Sequence, residues 1–217
     1  MAPLELVTDV VRAGRRVQEL SAELIADGQT IVRASALRVL PVAEKVVEAA
    51  ARDARPESDA EPGLNAGAGS NPDLARMDPP EDGKPVDFSL NGSKDASFAA
   101  TAMDMRWLSD PWALGPGRVW MRLRHPLAPG REASPLARLA ATADFCNGVS
   151  AALRFDRFLF INADLTIHLW RAPQGEWIGL DARTELRGGG PALAEGVLHD
   201  RSGPVGRAFQ SLVVQGR

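Results

Sequence analysis

Three side chains between Phe158 and Arg217 have the types and placement to do chemistry: Asp164, Thr184 and Gln210. The stretch reads as four β-type runs, FLFINADLTIHLWR, EWIGLDARTEL, ALAEGVLHD and GPVGRAFQSLVVQGR. Ala-Pro-Gln-Gly, Arg-Gly-Gly-Gly-Pro and Asp-Arg-Ser-Gly separate them, and turn chemistry of this kind between β-branched and aromatic runs predicts an antiparallel meander. Side chains alternate between faces along a strand. Thr184 therefore shares a face with Ile178, Leu180 and Ala182, and Gln210 with Ala208, Leu212 and Val214. In the first run Asn162, Asp164, Thr166 and His168 stand between Phe158, Phe160 and Trp170, opposite an apolar face running from Leu159 to Leu169. A buried carboxylate, hydroxyl or amide is costly unless it is partnered. On neighbouring strands the three groups could partner one another, or a water molecule. Each also has a plainer reading. Asp164 could be a structural carboxylate paired with Arg171 or Arg183, Thr184 an ordinary strand residue, and Gln210 a satisfied amide.

The elements that must position these groups precede them. Ser134 suits a helix N-cap and Pro135 the first helical position, while Leu136, Leu139, Ala140, Ala143 and Cys146 follow helical spacing to a stop at Gly148. Ser97–Leu108 and Arg118–Leu123 read as strands about the loop Asp110–Gly117. Two strands, one helix and four strands predict an α+β domain over residues 86–217. Residues 52–85 are dense in Pro, Gly and short polar residues, which predicts a flexible linker. Residues 1–51 read as three strands, Pro3–Val11, Val17–Ile25 and Thr30–Leu40, with a short helix over Val42–Ala51. Asp27-Gly28 marks the hairpin between the second and third strands. Three strands with no covering helix cannot bury their apolar face.

Composition narrows the classes. Apolar residues make up 45% of 217, enough for a core, and a net charge of -3 with interspersed signs leaves no nucleic-acid footprint. The single cysteine, Cys146, cannot form an internal disulfide, which fits a reducing compartment. The start MAPLELVTDVV lacks a signal-peptide pattern and no apolar run has the length of a membrane span, so the expectation is a cytoplasmic protein. No His/Cys cluster has metal spacing, and Ser150, Ser202 and Ser211 lie outside any G-x-S-x-G elbow.

DLTIHLWR with Asp164, EWIGLDART with Thr184 and AFQSLVVQGR with Gln210 together resemble the C-terminal domain of the TesB-type (type II) acyl-CoA thioesterases and their thioesterase-like relatives. Trp177 to Thr184 is one residue shorter than the family pattern. The resemblance implies a hot-dog fold, an antiparallel sheet wrapped around a central helix. It implies a double hot-dog whose first half is truncated: LELVTDVVRAGRRVQELSAELIADGQTIVRASALRV resembles the last strands of the family's N-terminal domain, whose opening strands and helix would precede Met1.

For function, the resemblance implies an enzyme, an acyl-CoA thioester hydrolase in which water attacks the thioester to give free fatty acid and coenzyme A. Asp164 would orient or deprotonate the water, and Thr184 and Gln210 would hold it. Asp144, in TADFCNGV, resembles the family's Ser-Asp-Leu-Asn and would support the site or cap local backbone. Asn162 joins it as a candidate substrate-binding residue. Leu136 and Phe145, with Leu165, would line an apolar acyl channel. Coenzyme A would enter as part of the substrate, with no separate cofactor and no metal, and Arg122, Arg124, His125 and Arg131 could meet its phosphates or form a solvated edge. Pairing through hot-dog sheets implies a homo-oligomer. The alternative is a non-catalytic acyl-CoA-binding or assembly module. A hot-dog hydratase ranks last, because Leu136–Leu153 contains no histidine to stand beside an aspartate.

Overall fold

The structure is a computed structural model and describes residues 3–53, 75–86, 97–188 and 190–217. It divides into two compact units, residues 1–69 and 70–217. In the first, β1 (Leu4–Ala13), β2 (Val17–Ala26) and β3 (Gln29–Val39) form an antiparallel sheet in the order β1-β2-β3, followed by helix α1 (Glu44–Asp53). Asp27 and Gly28 both have positive φ, 50° and 74°, the conformation a tight two-residue hairpin needs. The outer strands leave their apolar side chains exposed, Leu6 and Val10 among them, while those of β2 are half-buried. A shallow hollow of about 580 Å³, floored by Ala22, Ala34 and Ala36, lies on one face.

The second unit is one curled antiparallel sheet carrying a broken helix. Its strands are β4 (Lys84–Pro85), β5 (Met103–Trp107), β6 (Gly117–Leu123), β7 (Phe158–Asn162), β8 (Thr166–Leu169), β9 (Ile178–Glu185), β10 (Ala192–Asp200) and β11 (Gly203–Gly216). The order is β4-β5-β6-β9-β10-β11-β7, with β8 also paired to β11. The predicted meander is present with one difference. The run 158–171 is two strands on the same partner, interrupted at residues 163–165. Ser97–Leu108, expected as strand throughout, opens as helix α2 (Phe98–Ala102), because the Ser97 hydroxyl caps the Ala100 N–H and the FAATA segment is rich in helix-forming alanine.

Ser134 caps the main helix α3 (Pro135–Ala143) as expected, accepting from the Ala137 N–H. The helix does not run to Gly148. It breaks at Asp144 and Phe145 and resumes as the short helix α4 (Cys146–Val149), inside which Gly148 lies without positive φ. Leu139, Ala143, Cys146 and Val149 pack on Met105, Met121, Ile178, Leu180, Ala194 and Leu212 to form the core. Helix and sheet meet closely at two glycines: an added Cβ would collide with the Val149 carbonyl oxygen at Gly117, and would stand 2.5 Å from Leu180 Cδ1 and 2.9 Å from Cys146 Sγ at Gly196.

Of the expected linker, residues 54–74 lie outside the described residues, and so do 87–96 at the expected start of the second domain. Residues 75–85 fold with the second unit: Met77 and Pro80 are buried, and Lys84–Pro85 pair with β5. Met77 covers the sheet face away from the helix, beside Trp120, Gly179 and His199. The Trp120 indole N–H donates to the Asp78 carbonyl at 2.7 Å.

Two outcomes follow. Gly196→Val should cost ~1–3 kcal/mol in urea unfolding, since the added methyls would drive into Leu180 and Cys146, both buried in the core. His199 is 1% exposed with Nδ1 unpartnered among the described residues, and burial pushes its pKa down to about 4, against a smaller upward pull from Asp200. The unfolded chain therefore binds this proton first, and stability falls as pH drops from about 6.5 towards 4, by up to about 3 kcal/mol from this group. Unfolding free energies at pH 7 and pH 4.5 should show that loss in the native sequence and much less of it in His199→Leu.

Candidate functional site

Gln210 and Asn162 meet the break between α3 and α4, Thr184 meets the far end of α4, and Asp164 binds β11 beside Gln210. Where a helix stops, backbone groups lose their intrahelical partners and must find others or remain unpaired in a dry interior. Gln210 serves two of them. Its Nε2 donates to the Asp144 carbonyl at 3.0 Å, and its Oε1 accepts from the Asn147 N–H at 3.2 Å. The side chain is fully buried, and an amide bonded at both ends is what makes that burial tolerable. On β7, Asn162 Nδ2 donates to Asp144 Oδ1 at 2.7 Å, holding the aspartate's side chain as Gln210 holds its backbone.

Thr184 meets the far end of α4. Its Oγ1 lies 2.7 Å from Ser150 Oγ, and Ser150 Oγ donates to the Cys146 carbonyl at 2.7 Å. Thr184 and Gln210 are both register partners of Ala194, one on each side of it, so both stand on the helix-facing side of the sheet. Ser150 lies outside any elbow motif, so its sequence context gives no sign of this role. No local pattern links it to a strand residue 34 positions away.

Asp164 sits in the interruption between β7 and β8, where the chain leaves the ladder. Its carboxylate is exposed, and Oδ1 accepts the Ser211 N–H at 2.6 Å, beside Gln210 in sequence. The arginines weighed as its partners are engaged elsewhere. Arg183 pairs with Glu195, and Arg171 forks onto Asp200, with Nη2 to Oδ1 at 2.7 Å, while also donating to the Gly203 and Pro204 carbonyls. Burial works against the Asp200 carboxylate, but Arg171 and the N–H groups of Ser202 and Gln174 outweigh it and hold its pKa below the usual value.

Gln210 and Thr184 thus meet the two ends of α4, Asp164 binds the residue after Gln210, and among the described residues none of Asp164, Thr184 and Gln210 bonds to another. Phe145 stands in the break itself, stacked at 6.3 Å on Phe98, and Leu165 packs on the core. Leu136 is exposed at the opposite end of α3. Directly above β10 the helix rests on Gly196, so the sheet and helix are in contact there and leave no passage. Of the basic stretch, Arg122 and Arg124 both bind Asp104, at 2.8 and 2.7 Å, and Arg122 also lies over the Trp177 ring. His168 is exposed on β8, opposite Arg207. Burial, with Asp144 adding to it, pushes the Cys146 thiol up to about 12, so it carries no nucleophilic thiolate at neutral pH.

Several solved structures share this fold. A thioesterase candidate from Novosphingobium aromaticivorans is 20% identical, covering 98% of this chain and 73% of its own, with a TM-score of 0.64. A hot-dog protein of unknown function from Alicyclobacillus acidocaldarius is 15% identical over 98% of this chain and 72% of its own, with a TM-score of 0.62. An acyl-CoA thioesterase II from Mycobacterium marinum is 15% identical over 99% and 73%, with a TM-score of 0.54. The fold is the hot-dog. No curated protein matches the sequence. Residues 73–214 match the family model of the acyl-CoA thioesterase C-terminal domain, and with most of its length inside that match the chain belongs to this thioesterase family.

Proposed function

We propose that the chain is an acyl-CoA thioester hydrolase with Asp164 at the reacting water. The observation that carries this reading is the state of Asp164. It is an exposed carboxylate, steered by one backbone N–H on Oδ1 from the residue after Gln210, with Oδ2 unpartnered among the described residues. A carboxylate so placed can take a proton from water as the water oxygen attacks the thioester carbonyl carbon. The carbon–oxygen bond forms, the carbon–sulfur bond breaks, and the proton passes to the departing thiolate, giving a carboxylic acid and coenzyme A. Thr184 and Gln210 position the water in this reading, and the Asp144–Asn162 pair fixes the wall of the site. Coenzyme A enters only as part of the substrate. The chain acts as a cytoplasmic homo-oligomer paired through its sheets, with the acyl group against Phe145 and Leu165.

A second reading has an observation of its own. Gln210 is fully buried and spends both ends of its amide on the helix break. A set of polar groups satisfied in this way suits a module that binds acyl-CoA and does not turn it over. The two readings part on Asp164.

Free-thiol release from a panel of short to long acyl-CoAs should detect turnover by the native chain and a loss of about 100-fold or more in Asp164→Asn, which keeps the Ser211 contact but cannot accept the proton. Turnover unchanged in the variant would remove Asp164 from the chemistry. Acyl-CoA binding without thiol release, indifferent to the substitution, would establish the second reading.

A further inference from the structure

We infer that Ser150 is a positioning residue that fixes the Thr184 hydroxyl as a hydrogen-bond acceptor towards the reacting water; the inference rests on the hydrolase reading above. It comes from counting protons. A serine hydroxyl carries one. Ser150 Oγ lies 2.7 Å from the Cys146 carbonyl oxygen, which can only accept, so the Ser150 proton occupies that contact. The other contact, 2.7 Å to Thr184 Oγ1, then has one remaining source of hydrogen, the threonine. Turning the Ser150 proton towards Thr184 would leave two oxygens facing each other at 2.7 Å with no hydrogen between them. The Ser150 N–H, at 3.1 Å from the same carbonyl, does not relieve that contact. Ser150 has no exposed surface, so no solvent exchanges for either bond.

Thr184 is only partly buried, and with its proton committed inward its oxygen offers nothing but lone pairs. A water held there must donate to it. That leaves the water's own lone pair for the electrophile, whereas a donating hydroxyl would compete for it. The direction originates in the helix: the Cys146 carbonyl orients Ser150, and Ser150 orients Thr184. Gln210 is set in the same way, since the Asp144 carbonyl and the Asn147 N–H allow its amide only one of two orientations.

The test is a double-substitution cycle in the full chain, using Ser150→Ala, Thr184→Val and both together, read as kcat and KM for thiol release, with thermal unfolding alongside. Ser150→Ala should lower kcat about tenfold with KM unchanged, and should lower it no further in the Thr184→Val background. Thr184→Ser, which keeps the hydroxyl, should retain the dependence on Ser150. An unchanged kcat in Ser150→Ala, or the same loss with Thr184 already gone, would overturn the positioning role while leaving the hydrolase reading intact. A folded native chain that releases no thiol from any acyl-CoA would remove the hydrolase reading, and Ser150's part in it.

Discussion

The second unit depends on how a helix is allowed to break. Between α3 and α4 the backbone exposes groups that helical continuity would otherwise satisfy, and it does so against a dry sheet. β11 answers with Gln210, which binds the backbone on both sides of the break, while Asn162 of β7 holds the Asp144 side chain and Ser150, capping the far end of α4, meets Thr184 of β9. The residues that make the site legible as a site are those that make the break affordable. Gly117 and Gly196 let α4 lie close on the sheet, where a Cβ at either would meet the Val149 carbonyl or the Cys146 sulfur.

Charge in this unit is mostly settled locally. Arg122 and Arg124 close on Asp104, Arg171 on Asp200, Arg183 on Glu195, and Arg201 on Glu81. Asp164 is not part of such a pair: like Asp110, it accepts a backbone N–H, and among the described residues its second oxygen is uncommitted. Exposed ion pairs contribute little to stability, so the pattern bears more on where charge is left available than on what holds the fold together.

Local signals carried much of the fold. Asp27-Gly28 marked its hairpin, Ser134-Pro135 marked the start of α3, and alternation placed Thr184 and Gln210 on the face that meets the helix. Where an element ends was harder to read. Helical spacing runs on past Asp144 to Gly148 because core contacts continue on both sides of the break, and periodicity cannot see a break that keeps its face. The run 158–171 alternates without interruption, so nothing in it announces that the ladder stops at Asp164. FAATA reads as either helix or strand, and the cap at Ser97 decides it. Met77 was hidden by company, one apolar residue in a stretch whose composition suggests a linker. Ser150 could not have been found at all without the fold, because its importance lies in a contact that only the sheet order creates.

The Arg171 fork has a further consequence. It pins the chain just after β8 to the turn at residues 200–204, while pairing with β11 pins β7 on the other side. Asp164 hangs between two fixed points a few residues apart, like a bead on a short taut string. A residue gained or lost among 163–170 must therefore shift the carboxylate, and the loop at 172–176 is tied to the same anchor, since the Gln174 N–H also binds Asp200 and Arg138 donates to the Gly175 carbonyl.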